Sequence, residues 1–145
     1  MPGRGTDSIV EICEAVEDYL NDGAGDLGIV DVWYGDERAI PRTPAIGIVP
    51  GDKSRTLTET GSMTTNSFDV QITIYHSRLD NPNVTRKECD KLAEEVEAYL
   101  HDNKHMNDLV IFGYVQRIQA GVSTMNRVSM RATRLMWTAM TKGRI

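Results

Sequence analysis

Histidine side chains are the residues of this chain that most readily suggest chemistry. His101 and His105 are four residues apart, a spacing that places two imidazoles on one face of a helix. A zinc site needs three or four ligands, and no suitably patterned third ligand follows. With Lys104, the pair is better explained as basic residues at a helix C-terminus, where they complement the helix dipole. His76 continues the core-facing alternation of a strand, which favours a strand-end residue over a general base.

The other candidates for nucleophilic or acid–base chemistry also have structural explanations. Cys13 and Cys89 fall on the apolar stripes of two predicted helices, where a free cysteine is usually a small buried hydrophobe. The carboxylates of Glu94, Glu95 and Glu97 indicate a solvated helix face. No serine or cysteine occupies a nucleophile-elbow context, and no phosphate-binding loop is present. The sequence therefore predicts no catalytic residue, no metal site and no cofactor, and we do not expect an enzyme.

One glycine-rich segment matches a dinucleotide-binding pattern. Residues 23–28 read GAGDLG, which has the form G-x-G-x-x-G. In a dinucleotide site these glycines follow a strand and open a helix, whose first amides meet the pyrophosphate. Here a predicted helix precedes the glycines and a strand follows them. A flexible helix-to-strand turn is therefore the better interpretation.

Two amphipathic helices are predicted from apolar residues that recur every three or four positions. The first begins at a cap provided by Thr6 or Asp7 and ends at residues 21–23, whose Asn-Asp-Gly sequence tolerates a left-handed cap. The second begins at residues 85–88, which match a capping box, and runs to about Asp102. The predicted buried stripes are Ile9, Ile12, Cys13, Val16, Tyr19 and Leu20, then Cys89, Leu92, Ala93, Val96, Tyr99 and Leu100.

Five strands are predicted, at residues 29–34, 45–49, 68–75, about 109–118 and about 127–140. Pro44 and Pro50 mark the limits of the second strand. In the last strand the apolar alternation slips by one residue. A bulge near Thr133 and Arg134 would keep the apolar side chains on both sides of the slip facing the core.

Between the second and third strands lies a long polar excursion. Residues 51–67 are rich in Thr, Ser, Gly and charge, and they predict an extended polar loop that leaves from a hairpin. Its composition and length suggest an arm that is mobile in the single chain and becomes ordered on assembly.

The order of elements predicts an α+β fold. Helix, three strands, helix and two strands make a five-stranded, mainly antiparallel sheet with both helices packed on one face. We expect a single domain over residues 1–145, with a flexible N-terminus at 1–6 and a C-terminal tail at 141–145. A chain that is 40% hydrophobic and 26% charged is not intrinsically disordered. It has no signal-peptide pattern and no apolar run near the roughly 18 residues of a membrane helix, so we expect a soluble protein made in a cytoplasm.

The net charge of −5 hides an uneven distribution of charge along the chain. Ten acidic residues, from Asp7 to Glu37, precede Arg38, whereas no acidic residue follows Asp108. A negative net charge argues against general nucleic-acid binding. The asymmetry is either solvated surface or an acidic face of one subunit that meets a basic face of the next. The residues assigned to a subunit or tube interface are an outward-facing Trp33, with Asp31, Asp36, Glu37, Arg127, Arg131 and Arg134.

One series of elements covers residues 7 to 140. It consists of the first amphipathic helix, the strand at 30–34, the proline-bounded strand at 44–50 with its polar hairpin, the strand at 68–75, and the capped helix before two closing strands. In length, order and texture this series resembles the tail terminator, or tail-completion, proteins of tailed bacteriophages.

The resemblance implies a structural protein of the virion tail and neck, assembled in the host cytoplasm. Such a protein forms a ring, usually of six copies, that caps the tail tube, stops its polymerisation and docks to the head-side connector. The implied partners are further copies of this chain, the tail tube protein and the head-side stopper or connector. Genomic DNA would pass through the lumen without sequence recognition. The resemblance implies no catalytic residue, no cofactor and no membrane partner.

Two alternatives remain open. A head-completion or stopper protein of the neck has a similar size and texture. A free-standing α+β ligand-binding domain or enzyme would need a concave pocket with converging polar groups, and the sequence offers no convincing set.

Overall fold

Two helices and five strands form the chain, in the order helix, three strands, helix, two strands. The computed structural model describes residues 6, 8–36, 42–57, 63–125 and 127–144. The α+β fold expected from the sequence is confirmed. The elements are α1 (Ile9–Leu27), β1 (Asp31–Tyr34), β2 (Ala45–Leu57), β3 (Met63–Arg78), α2 (Arg86–His101), β4 (Phe112–Met125) and β5 (Val128–Arg144).

The five strands make one mixed sheet in the order β1-β2-β3-β5-β4. β1 and β2 are parallel, and every other neighbouring pair is antiparallel. Both helices pack on one face of the sheet, α1 over β1 and β2 and α2 over β4 and β5. We call this side the helix face, and the opposite side, on which neither helix packs, the open face.

The main core fills the space between the helices and the helix face. Alternate residues of β3 from Phe68 to Ile74 point into it and are fully buried, as their period of two predicts. Trp137 of β5 is also fully buried there. Burial of these apolar side chains, at about 25 cal/mol per Å², is the main favourable term that holds the helices to the sheet.

Both helices begin at hydroxyl caps. In α1 the cap is Ser8, whose Oγ accepts a hydrogen bond from the Glu11 amide at 3.3 Å, so the prediction of Thr6 or Asp7 is wrong. In α2 the cap is Thr85, as predicted, and its Oγ1 accepts from the amide three residues later at 3.2 Å. These bonds satisfy amides that a helix start otherwise leaves without partners.

α1 ends later than predicted, and a glycine inside it allows close packing against α2. A Cβ at Gly23 would lie 2.3 Å from the ring of Tyr99. Tyr99 stacks on Tyr19 with ring centroids 4.2 Å apart, and each hydroxyl donates to the backbone carbonyl of the other residue. The helix continues to Leu27 and stops at Gly28, which has a left-handed φ of 76°. The interpretation of this segment as a helix-to-strand turn is therefore wrong.

The described parts of the polar excursion, residues 51–57 and 63–67, belong to strands and are not an open loop. β2 continues through Pro50 to Leu57, and β3 begins at Met63, so Pro50 does not limit the strand. The tip between them lies outside the described residues. Of the expected C-terminal tail, residues 141–144 are also part of the sheet, since β5 pairs with β3 as far as Arg144, and residue 145 lies outside the described residues. The expected flexible N-terminus falls outside the described residues, apart from its last position.

The slip in the alternation of β5 marks a change of face, and the predicted bulge is absent. The pairing of β5 is regular past Thr133 and Arg134, because the register shifts lie in its neighbours, at His76 of β3 and Gln116 of β4. Leu135, Trp137 and Ala139 face the main core, whereas the earlier apolar residues face the open side. There they join a second cluster formed by Trp33, Ala45, Tyr75, Met130 and Ala132, with Val128 packed against it.

Candidate subunit interface

Trp33 is buried within the chain and is not an exposed anchor. It is 8% exposed and stacks on Tyr75 with ring centroids 5.8 Å apart. Its indole crosses Gly47, where a Cβ would lie 3.0 Å from the ring. The expectation of an outward Trp33 is therefore wrong. Strand alternation does place Trp33 opposite the main core, but the second cluster covers it there.

The acidic residues assigned to the interface lie along the edge formed by β1. Asp31 is half-buried at the start of this outer strand, and Asp36 is exposed just beyond its end. Glu37 lies outside the described residues. Glu17 of α1 acts inside the chain, since its carboxylate accepts from the Tyr34 amide at 3.0 Å. The remaining acidic residues of α1 are exposed: Glu11, Glu14, Asp18, Asp22 and Asp26. Asp22 and Asp26 among them lie toward Tyr99 of α2.

The arginines assigned to the interface lie near the other edge, where β4 is the outer strand, but they point in different directions. Arg127 is exposed in the turn between β4 and β5. Arg131 lies on the helix face beside the start of α2, and its buried Nε has no hydrogen-bond partner among the described residues. Arg134 is exposed on the open face beside Gln71, and with the Gln71 amide turned so that its oxygen faces the guanidinium, Nε of Arg134 donates to that oxygen at 2.6 Å. The three surround one end of a hairpin and do not form a single patch.

The acidic residue of β1 and two arginines of β5 lie in neighbouring rows of paired residues, on opposite sides of the sheet. One row of strand partners runs from Asp31 of β1, through β2 and β3, to Ala132 of β5 and Gly121 of β4. Arg131 and Arg134 are within two positions of Ala132 on β5. Asp31 and these two arginines of β5 thus lie level on opposite sides of the sheet, with the uncharged residues 118–122 of β4 outside the arginines.

Two hairpin arms extend in opposite directions within the sheet from a common row of paired residues. That row joins Val49, Gln71, Met136 and Arg117. On its outer side, each arm has a strand edge that no described strand pairs with. The β2–β3 arm comprises residues 49–57 and 63–71, and the β4–β5 arm comprises residues 117–125 and 128–136.

An apolar recess of about 640 Å³ lies beside the first half of β4, between that strand and the end of α2. Phe112 and Tyr114 present rings to it that are 38% and 42% exposed and have centroids 6.0 Å apart. In the sequence, two aromatic residues spaced two positions apart in a predicted strand could have indicated an aromatic surface on one face of that strand. The sequence analysis missed this pattern. The other side chains around the recess are His101, Lys104, His105 and Ile111.

The backbone of β4 beside this recess already has hydrogen-bond partners. The Val115 amide donates to Nε2 of His101 at 2.9 Å, and the Gly113 amide donates to the Lys104 carbonyl at 2.6 Å. Nδ1 of His105 donates to a backbone carbonyl at 2.5 Å. Both histidines therefore help to hold the end of α2 against β4. Within the described ranges, no group of three or more His, Cys, Asp or Glu is placed to hold a metal.

The buried titratable groups have the properties of core residues. Burial lowers the pKa of His76 to about 4, with Asp90 opposing this shift and Arg131 adding to it. Burial raises the pKa of the Cys13 thiol to about 11 and also raises that of Cys89. Both cysteines are free and buried, as predicted. Neutral groups of this kind are poor nucleophiles and poor bases at neutral pH.

No protein-family model matches the chain, and a search of curated proteins finds no significant relative. No helix in the described part of the chain combines the length and apolar character needed to cross a membrane. The chemistry of the two edges and the recess is therefore the guide to what the protein does.

Proposed function

We propose that this chain is the subunit of a tail terminator ring of a tailed bacteriophage. In this ring, six copies cap the tail tube, stop its polymerisation and present a docking surface to the head-side connector. The observation that carries the proposal is the placement of opposite charge on opposite edges of one sheet at the same height. A subunit built in this way is complementary to the next copy of itself.

Contacts between two different edges give a heterologous interface, which closes into a ring when its rotation allows. Strand direction favours this arrangement. β4 is antiparallel to β5, while β1 and β2 run in the same direction as β5. A second copy placed with its β1 edge against β4 therefore continues the antiparallel alternation and keeps all helices on one side.

The charges favour the same orientation. Asp31 and Asp36 at the β1 edge would face the β4–β5 arm of the neighbouring copy, with Arg127, Arg131 and Arg134. Exposed ion pairs contribute about 0–1 kcal/mol each, so they mainly set the orientation and rate of association. The tube protein, the head-side connector and the DNA in the lumen are the partners of the assembled ring. No catalytic group is needed for this role.

The experiment that tests this function is removal of the chain from the phage that encodes it, with tail length measured by electron microscopy. A terminator is expected to leave overlong tubes when absent, because nothing stops polymerisation. Normal tails that fail to join heads would instead identify a stopper, and unaffected particles would contradict any role in the neck.

Complementation with matched variants connects the phenotype to the acidic edge. Asp36→Arg reverses an exposed charge beside β1 and is expected to leave tails overlong. Asp80→Arg reverses an exposed charge in the turn before α2 and is expected to restore normal length. Equal rescue by both variants would contradict the assignment of the β1 edge.

A further inference from the structure

The open face of the sheet is a polar surface that neither helix covers. Both helices pack on the opposite side, and the second cluster around Trp33 and Tyr75 occupies only part of the open face. Along β3, the residues that alternate with the buried core present hydroxyl and amide side chains to this face. They are Thr65, Ser67, Gln71 and Thr73.

Among the residues of the strands that are paired in register, the exposed charges on the open face are all basic. They are Arg78, Arg117, Arg134 and Lys142. Arg117 pairs with Met136 and is therefore a diagonal neighbour of Arg134. The paired acidic residues on this face, Asp31 and Asp69, are half-buried, and the Asp69 carboxylate accepts a hydrogen bond from Oγ1 of Thr138 at 3.0 Å.

The outer surface of the helices carries the opposite sign of charge. α1 contains no basic residue, and its exposed acidic side chains extend from Glu11 to Asp26. On α2 the exposed charged residues are mostly acidic: Glu88, Asp90, Glu94 and Glu95, against Arg86, Lys87 and Lys91. The negative charge of the chain is thus concentrated on the helices, and the open face is the side that a polyanion can approach.

A ring whose subunits meet edge to edge turns one face of every sheet toward the lumen. The screening length is about 8 Å at physiological salt, so charges on the lumen wall act on the phosphates of a duplex that passes beside them. Helices on the inside would surround DNA with carboxylates from every copy. The open face would instead surround it with basic, hydroxyl and amide side chains, which are the groups that contact DNA phosphates.

We infer that the open face lines the lumen of the ring and that its basic residues contact the phosphate backbone of double-stranded DNA. This inference rests on the proposed ring and assigns one face of the sheet to the DNA. The helices then form the outer wall. Contacts to the phosphate backbone carry no sequence information, so DNA of any sequence can pass.

Photocrosslinking from single positions tests this assignment. The photoreactive residue p-benzoylphenylalanine is placed at Gln71, on the central strand of the open face, or at the exposed Glu94 of α2. Thr65, on the same face of β3 as Gln71, provides an independent second position. Irradiation of DNA-filled particles is expected to join the chain to DNA from positions 71 and 65 and not from position 94.

The outcomes separate this inference from the proposed function. DNA crosslinks from position 94, or none from positions 71 and 65 in particles that contain the chain, would overturn the inference alone. Particles that lack the chain would overturn the ring and the inference together.

Charge reversal tests the role of the basic residues in this contact. Arg117→Glu combined with Lys142→Glu is expected to lower the crosslink yield from position 71 about threefold, because carboxylates would then lie beside the phosphates. The control, Lys87→Glu combined with Lys91→Glu, makes the same change of charge on α2 and is expected to alter the yield by less than about twofold. Equal yields from the two double variants would overturn a contact between the open-face cations and DNA.

Discussion

The two hairpin arms differ in the residues that line their exposed strand edges. On the β2–β3 arm, the outer strand carries Pro50 and then the charged residues Asp52, Lys53 and Arg55. On the β4–β5 arm, the outer strand has no proline and no charge from Ile118 to its end. Proline and charge are the devices by which proteins keep edge strands from pairing with other chains. The edge of the β2–β3 arm is thus protected against pairing with another chain, whereas the edge of the β4–β5 arm is bare, that is, without proline or charge.

This difference indicates how each arm makes contacts. The β2–β3 arm, whose outer strand is protected, exposes Leu57 near its end at 61%. The bare outer strand of the β4–β5 arm exposes Ile118 and Val122 at 41% and 58%, and arginines on the adjacent strand surround it. An uncharged, unpaired strand edge can associate with another chain. In the proposed ring, the acidic edge of the next copy would cover it.

The largest effect is expected where the recess meets the core. A Cβ at Gly113 would lie 2.2 Å from the indole of Trp137, which is fully buried. Gly113→Ala is therefore expected to lower the free energy of unfolding by about 3 kcal/mol, because the core cannot move to accept a methyl group. Chemical denaturation measures this change.

Gly121→Ala on the same strand is the matched control for Gly113→Ala. Nothing lies within 4 Å of a Cβ at Gly121, so this change is expected to alter stability by less than about 0.5 kcal/mol. Equal midpoints for the two variants would show that the first half of β4 is no more constrained than its bare second half.

Acidification is expected to weaken the support of the β4–β5 arm. His76 is 4% exposed, and its Nε2 lies 2.8 Å from Oγ1 of Thr133 on β5. Its pKa falls from 6.5 to about 4 in the folded chain, so between these values the unfolded chain binds more protons. The stability that neutral His76 provides is complete above pH 6.5 and is lost as pH falls toward 4, by about 2 kcal/mol at pH 5.

The variant His76→Asn isolates this contribution to the pH dependence. Its free energy of unfolding is expected to change less between pH 7 and pH 5 than that of the unmodified chain. Parallel pH profiles for this variant and the unmodified chain would contradict a buried, neutral His76.

The smallest effect is expected from the arginines around the bare edge. Replacing Arg127, Arg131 and Arg134 with serine is expected to weaken assembly by up to about 1 kcal/mol per ion pair and to reduce its salt dependence. Sedimentation velocity at low and high salt measures both quantities. The control replaces three exposed lysines outside the arm, Lys87, Lys91 and Lys142, and so changes the net charge equally. Identical assembly and salt dependence of the two triple variants would show that the arginines are not part of the interface.

Local patterns predicted the fold class correctly. The alternation in β3, the cap at Thr85 and the apolar stripes of both helices depend on neighbours in sequence, and each has the expected structure. The interpretation of β5 failed because its period stays regular while its apolar residues change from one core to another. Periodicity along one strand does not reveal a second cluster on the other face of a sheet.

The interface residues were harder to predict because their meaning depends on strand order. Trp33 has the period of an exposed residue, yet Tyr75, 42 positions away in the chain, covers it. The length of the β2–β3 arm was hidden by its polar composition, since pairing on both sides of β3 replaces apolar burial as its support. Only the register between the five strands shows that the acidic and basic segments lie in the same rows on opposite sides of the sheet.

Negative-stain electron microscopy of the purified chain, alone and with tail tubes, tests the central claim most directly. The account predicts closed rings of one discrete copy number that sit as caps at tube ends. A chain that stays monomeric at high concentration and leaves tube ends bare would contradict it.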